Sequence, residues 1–464
     1  MIDNDTISAI STAQGTGAIG IVRISGKDAF MIGEKILRHR SGKPIKTWPE
    51  RQVRLGLVVH AGKKILDEVV FFAFKEPKSY TGEDLLEIQA HGGIENLKLI
   101  LDATLEAGAR LAEPGEFTKR AFLSGRLDLT QAEAVIDLIN AQTELAHRAA
   151  INQLSGELSL VLQEIEEKIL HILVSIEASL DYPEEEIPSL EREKALETIR
   201  LARSQIRTLI SQAKKGRILQ ETATIVLAGR PNVGKSSLLN ALLNEERAIV
   251  TPIPGTTRDF VTETINLQGL PLRLVDTAGL REIDDPIEKE GVNRSWDLIK
   301  KADLILFIID SAIGVSNEDQ AFIEEINQNV QQPKILFILN KSDLPPKISP
   351  DELSKLYPGE KILNLSTLTG KGIEELKISL RSELMGEDFS PEHPILVTRL
   401  RHKKALEETE EILNQVENQI KNGVSEDLIT IDLRDAIDTL GEITGRSVNA
   451  DVIEAIFSQF CVGK

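Results

Sequence analysis

Gly229-Arg-Pro-Asn-Val-Gly-Lys-Ser236 places a lysine and a hydroxyl directly behind a glycine turn. The spacing G-x-x-x-x-G-K-[ST] is that of a phosphate-binding loop. The short β-branched run Thr222-Ala-Thr-Ile-Val-Leu-Ala228 precedes it, and Ser237-Leu-Leu-Asn-Ala-Leu-Leu243 follows with helical texture. Strand, loop and helix start aim successive N–H groups at one spot, so Asn232, Val233, Gly234, Lys235, Ser236 and Ser237 are candidate phosphate contacts. Lys235 would reach the β- and γ-phosphates, which makes it a catalytic candidate as well. The Ser236 hydroxyl would bind Mg²⁺. Downstream, a strand ends at Asp276 and is followed by Thr277, Ala278 and Gly279. An aspartate there can hold the metal through water, and a glycine lets a backbone N–H approach the γ-phosphate.

The run Lys334-Ile-Leu-Phe-Ile-Leu339 leads into Asn340, Lys341, Ser342 and Asp343. A carboxylate can accept two N–H bonds from the guanine edge, and adenine lacks that donor pair. Asp343 therefore selects GTP. Ser366 follows the strand-like stretch 361–365 as the base-side loop. These motifs in this order imply a GTP-hydrolysing domain. They also depart from small signalling switches. Leu280 stands where those carry a water-positioning glutamine, and no arginine finger is recognisable. The following segment is acidic, with Glu282, Asp284, Asp285 and Glu288. Asn232 offers an amide oxygen inside the loop. The segment Thr251, Pro252, Ile253, Pro254, Gly255, Thr256 and Thr257 could wrap the opposite side with backbone carbonyls, a ligand set suited to a monovalent cation.

The elements that must position these groups occupy a chain of 464 residues, long enough for two to four domains. The composition, 41% hydrophobic, is that of a globular protein. No apolar run reaches the roughly 18 residues of a membrane helix, and the acidic start lacks the basic region of a signal peptide. A single cysteine, Cys461, excludes an internal disulfide and suits a reducing cytoplasm. A net charge of −19 argues against coating nucleic acid non-specifically and leaves room for a local basic patch.

Residues 5–25 read as a hairpin-like pair, with further strands at 52–60, 65–74 and 84–90 and helices at 27–37 and 94–107. Helical periodicity runs through 131–180 with one interruption at Ser155-Gly156, then through 190–215, and resumes at 398–421, 428–440 and 448–460. The expected fold class is multidomain α+β and α/β. It comprises an α+β domain over 1–118, a helical bundle in two parts, 119–215 and 386–464, and a Ras-like phosphate-loop GTPase domain over 216–385 inserted between them.

Over its whole length the chain resembles the MnmE/TrmE family of tRNA-modification GTPases. The resemblance is carried by the inserted GTPase motifs, Pro254-Gly-Thr-Thr-Arg-Asp259 and Asp276-Thr-Ala-Gly-Leu-Arg-Glu282 included. It is carried more specifically by Tyr80-Thr-Gly-Glu-Asp84, His91-Gly-Gly93, Leu127-Asp-Leu-Thr-Gln-Ala-Glu133 and the tetrapeptide Cys461-Val-Gly-Lys464. It implies a cytoplasmic homodimer that works with the FAD flavoprotein MnmG on tRNA. Together they install an aminomethyl or carboxymethylaminomethyl group at C5 of the wobble uridine. It implies a tetrahydrofolate one-carbon donor bound by Arg23, Glu87, Arg126 and Lys464. Position 126 is often lysine in the family, and arginine keeps the charge but changes its geometry. It implies K⁺ held by Asn232, Thr251, Ile253 and Thr256, Mg²⁺ held by Ser236 and Thr257, and a hydrolytic role for Glu288.

On the residues alone, Glu87 and Gln89 share one face of an alternating strand, and such a face is ordinarily solvated. Cys461 is either a small hydrophobe capping the last helix or a reactive thiol carried beside the one-carbon site. Two other classes remain in view. A ribosome-assembly GTPase is disfavoured by the lack of a basic C-terminal G-x-x-G domain. A stalk-type mechanical GTPase is disfavoured by the lack of a basic amphipathic, membrane-inserting stretch.

Overall fold

The structure, a computed structural model, describes residues 5–60, 64–181, 192–245, 262–276, 296–330, 333–387 and 397–464. By contact the chain forms two compact units. One comprises Met1–Ile136, Gln153–Ile199 and Glu411–Lys464, and the other Asp137–Asn152 and Arg200–Glu410.

The first unit opens with strands β1 (Ile7–Ile10), β2 (Ile19–Ser25), β3 (Leu37–Arg38), β4 (Arg54–His60), β5 (Lys64–Phe74), β6 (Leu85–His91) and β7 (Arg110–Leu111). They form one sheet in the order β3-β4-β5-β6-β2-β1-β7. Helices α1 (Ala29–Ile36) and α2 (Ile94–Glu106) cover one face of it. Strand alternation delivers Val22, Ile24, Val69, Phe71, Ala73, Leu86 and Ile88 into the core beneath them. On the other face, α3 (Glu116–Leu123) seats Phe117 over Ile7 and Ala9 of β1. That leaves Arg23 and Glu87, direct partners across β2 and β6, at the margin of the covered area.

Three helices follow, α4 (Leu129–Asn140), α5 (Glu144–Leu154) and α6 (Glu157–Asp181). The sequence predicts one break in this run, and the structure has two. The additional break lies at 141–143, where the Thr143 hydroxyl accepts the N–H of Ala146 at 3.2 Å and starts α5. A threonine that can cap competes with helix continuation. Helix α7 (Arg192–Glu221) runs six residues past its expected end and leads into the phosphate-loop strand.

The second unit contains a six-stranded sheet ordered β13-β12-β11-β8-β10-β9. Its elements in chain order are β8 (Ala223–Ala228), α8 (Lys235–Glu245), β9 (Thr262–Leu267), β10 (Leu270–Asp276), β11 (Leu304–Asp310) and α9 (Asn317–Asn329). Then come β12 (Ile335–Asn340), α10 (Pro350–Leu356), β13 (Lys361–Asn364) and α11 (Ile373–Met385). Every residue of β11 and β12 is buried, as expected of parallel strands covered on both faces. Leu227, Leu306 and Ile338 face α8 and α11, and Phe307, Ile309 and Phe337 face α9 and α10. This Ras-like arrangement brings the ends of β8, β10, β12 and β13 to one edge, where α/β sheets bind ligands. Helices α12 (Leu400–Asn422), α13 (Glu426–Thr444) and α14 (Ala450–Phe457) complete the chain. Within the first unit α13 packs on α6, with Arg434 paired to Glu177 at 2.6 Å.

Candidate functional site

The phosphate loop is held from below. Gly234 has φ +103°, and a Cβ there would strike the Asn340 side-chain amide. That amide donates to the Val233 carbonyl at 2.8 Å, so the base-side strand fastens the phosphate loop. Asn340 Oδ1 in turn accepts the Thr367 N–H at 3.1 Å. Lys235 is buried, and its ammonium donates to the carbonyls of Gly229 and Arg230 at 2.8 and 2.9 Å. These neutral acceptors keep it at the loop mouth, where a phosphate would compete for it.

Ser236 Oγ donates to Asp276 Oδ2 at 2.8 Å, which unites two of the three expected Mg²⁺ groups. Asp276 is buried, and its second oxygen, Oδ1, has no hydrogen-bond partner among the described residues. A buried carboxylate oxygen without a donor fits a hydrated cation. Asn232 adopts φ +62°, and its side-chain amide is exposed. Arg230 is turned away from the loop mouth. Its guanidinium meets Asp319 at 2.9 Å and the Gly314 carbonyl at 3.1 Å, so it cannot act as an internal arginine finger.

On the base side, Ser366 Oγ donates to Asp343 Oδ1 at 2.5 Å, orienting an exposed carboxylate whose other oxygen remains open to a guanine edge. Lys341 Nζ donates to the Asn232 carbonyl at 2.9 Å and pairs with buried Asp310 at 2.7 Å. The sequence reading did not include Asp310. The available signal was that β11, like β10, ends in an acid. Thr251, Pro252, Ile253, Pro254, Gly255, Thr256, Thr257, Thr277, Ala278, Gly279 and Glu288 lie outside the described residues. Among the described residues no cluster of three or more His, Cys, Asp or Glu could hold a metal, and no helix is long and apolar enough to cross a membrane.

A second cluster lies in the first unit. Arg23 grips Glu87 Oε1 through Nε and Nη2 at 2.9 and 2.8 Å, both side chains mostly buried. The Arg23 guanidinium lies 5.4 Å from the Tyr80 ring centre and 5.5 Å from that of Phe117, and Arg126 lies 5.5 Å from Tyr80. The C-terminal tetrapeptide docks at the same place. Val462 bridges to Pro114, and Gly463, at φ +93°, passes so close to the Ile10 carbonyl that no side chain would fit. Burial, then the Arg23 charge, push the half-buried Lys464 ammonium below the usual lysine range, while Glu87 and Cys461 oppose them. All four residues expected around a folate are thus near neighbours of this tail or of Tyr80. Arg23 is spent on Glu87 rather than free for a ligand carboxylate. Cys461 is exposed, and Phe457 and Phe460 are the apolar cap of the last helix, so the packing role considered for the cysteine does not hold.

Beneath Tyr80 runs an ion network that the sequence did not reveal. Arg120, 5% exposed, pairs with Asp5 at 2.7 Å, Glu116 at 2.8 Å and Glu83 at 3.1 Å. Arg110 joins Asp5 and Glu116, each at 2.6 Å. The Arg110 bond chiefly holds the Asp5 carboxyl below its usual range, and Arg120 adds to it. Burial works to raise the Glu116 carboxyl, but bonds from Arg110, the Glu113 N–H and Arg120 outweigh it and lower it.

Comparison with known proteins identifies the family. Residues 6–126 match the family model "GTP-binding protein TrmE N-terminus", and residues 129–461 match "MnmE helical domain". The tRNA modification GTPase MnmE of Thermoanaerobacter pseudethanolicus is 46% identical over 461 residues, covering 99% of each chain. That of Clostridioides difficile is 42% identical over 464 residues, covering 100% of each. Among solved structures, the G domain of the T. maritima FeoB iron transporter is 29% identical over 35% of this chain and 98% of that one, at a TM-score of 0.28. With a family model across most of its length and relatives of this identity end to end, the chain belongs to the MnmE/TrmE family and is a GTP-hydrolysing enzyme of tRNA modification.

Proposed function

We propose that this GTPase serves a complex that adds an aminomethyl or carboxymethylaminomethyl group at C5 of the wobble uridine, position 34, of tRNA, using a tetrahydrofolate one-carbon unit. The observation that carries this reading is the convergence of Arg23, Glu87, Arg126 and Lys464. Arg23 pairs with Glu87, Lys464 lies within its field, and Arg126 shares the Tyr80 ring with Arg23, so the cluster holds three cations to one carboxylate, a charge balance that suits a dianionic ligand. Glu87 Oε2 has no partner among the described residues and can accept from the amino edge of a pterin. Arg126 and Lys464 then take the glutamate carboxylates, and Arg23 orients Glu87. The folate, when bound, supplies the one-carbon unit. The thiol of Cys461 is exposed beside Lys464 and is a candidate nucleophile for that unit.

For hydrolysis, Lys235 neutralises the β- and γ-phosphates, and Ser236 and Thr257 hold Mg²⁺ with Asp276 behind. Asn232, Thr251, Ile253 and Thr256 hold K⁺, which supplies the countercharge that Arg230 does not. Glu288 orients the attacking water. The working form is a cytoplasmic homodimer paired with an MnmG-type FAD flavoprotein. It is organised as domains 1–118, 119–215, 216–385 and 386–464. One face of the front sheet supports self-association. Leu55 and Ile19 are 46% and 62% exposed there, and Leu57, Val70, Phe72 and Phe74 are only half-buried.

The test is mass spectrometry of tRNA nucleosides from a strain lacking the gene, with 5-formyltetrahydrofolate titrated into the purified protein. Loss of C5-substituted wobble uridine together with saturable folate binding is expected. Normal nucleosides in the deletion strain exclude the reading.

A further inference from the structure

Tyr80-Thr-Gly-Glu-Asp84 takes no part in the assignments above, yet its side chains are all engaged. Thr81 Oγ1 meets Ser25 Oγ at 2.6 Å, and Glu83 accepts from Ser25 at 2.8 Å and from Arg120 at 3.1 Å. Asp84 accepts the Glu76 N–H at 3.1 Å. The Tyr80 hydroxyl is bonded to Thr118 Oγ1 at 2.9 Å. The loop is therefore fixed just after Tyr80 and at the Tyr80 hydroxyl itself, which holds the ring in place.

Two guanidinium groups lie over that fixed ring, Arg23 at 5.4 Å and Arg126 at 5.5 Å. Arg23 also has Glu87. Arg126 is exposed, and among the described residues no carboxylate faces it. A long exposed side chain normally samples many rotamers, and fixing it costs a ligand part of its binding energy. A carboxylate neighbour would fix it but would also neutralise it. An aromatic face attracts a cation through its quadrupole and leaves the charge unspent.

We propose that Tyr80 is a positioning residue of this site, whose ring holds Arg126 ready for the carboxylates of the ligand's glutamate tail. The inference rests on the folate reading and adds to it how the tail is selected. Of the two cations over the ring, Arg23 is already fixed by Glu87 and only Arg126 reaches the ligand, while the Tyr80 hydroxyl is committed to Thr118. The aromatic face is therefore the part that matters, and it acts on the tail and not on the pterin.

The experiment uses the full-length protein and two probes, 5-formyltetrahydrofolate and the tail-less 5-formyltetrahydropteroate, titrated by calorimetry. Tyr80→Leu is expected to weaken the first by about tenfold, as loss of a cation–π contact and its preorganisation predicts, and to leave the second unchanged. Tyr80→Phe is expected to bind both as the unaltered protein does. Arg126→Ala is expected to copy the Tyr80→Leu pattern, and the double variant to lose no more than either single one, because the two act as one unit. Equal losses for both probes in Tyr80→Leu, or additive losses in the double variant, overturn the proposal. A melting temperature within a degree or so of the parent, measured first, removes misfolding as a cause. An unaltered protein that binds neither probe overturns the folate reading itself, an outcome distinct from one in which it binds and Tyr80→Leu binds equally well.

Discussion

The phosphate loop illustrates how much a single residue decides. Arg230 is bound to Asp319 and Gly314, so no arginine of the loop is left to meet charge developing between the β- and γ-phosphates. A monovalent cation at Asn232 would stand in for an arginine finger, which is worth about 10³–10⁵ in rate. Hydrolysis is therefore expected to run at least about tenfold faster in KCl than in NaCl, and Asn232→Ala to erase the difference. Equal phosphate release in the two salts by the parent protein would defeat the assignment. Glu288→Ala should lower kcat by about 10² or more while GTP affinity stays near that of the parent, because a group acting on the attacking water contributes only in the transition state. A variant crippled at Glu282 and normal at Glu288 would show the switch segment to be misaligned. The roles of Glu288 and of K⁺ come from the family resemblance, whereas the phosphate-loop and base-side residues that the structure brings together were legible from the sequence because phosphate and guanine chemistry dictate short, local spacings. Asp310 and Tyr80 were not, since their roles depend on Lys341 and Arg126, which only the fold brings near.

At the scale of elements, the sequence conveyed the long helices and the strands with clear alternation. It did not convey the two-residue strands β3 and β7, whose existence rests on pairing with β4 and with distant β1. Nor did it reveal that Asp5, ahead of β1, is tied to α3 by Arg120. Asp5 and Glu116 both have folded-state values below the ordinary carboxylate range. The stabilisation they bring is complete above that range and is lost as pH falls through the lowered values. The first unit should thus lose thermal stability below about pH 4. Arg120→Met should cost about 3 kcal/mol at neutral pH, from the carboxylates left behind, and should flatten the acid dependence. Melting curves at pH 7 and pH 3.5 decide it, and an acid slope unchanged in the variant would assign the effect elsewhere. The C-terminal element carries a separate expectation. Cys461→Ser should hydrolyse GTP normally and fail to modify tRNA, and deleting Val462–Lys464 should in addition weaken folate binding, because Lys464 sits at the Arg23–Glu87 pair. Full modification by Cys461→Ser would leave the tail with a folate role alone.

For the molecule as a whole, the proposed dimer makes the front sheet the place to interfere. Phe72 lies mid-face on β5 between Val70 and Phe74. Phe72→Glu would bury a charge against a second copy, a cost no apolar partner offsets. Sedimentation should show the variant as monomer at concentrations where the parent is dimer, and a persistent dimer would move the interface elsewhere. The hydrogen bonds between the base-side loop and the phosphate loop have a consequence of another kind. Asn340 holds the Val233 carbonyl and Lys341 the Asn232 carbonyl, so the two halves of the nucleotide pocket share their supports. Guanosine and pyrophosphate, offered as separate fragments, would each find half of a pocket whose order depends on the other half. Filling the nucleoside half would firm the loop for the second fragment, and the intact nucleotide would exceed the sum of its pieces by more than the entropy of joining them.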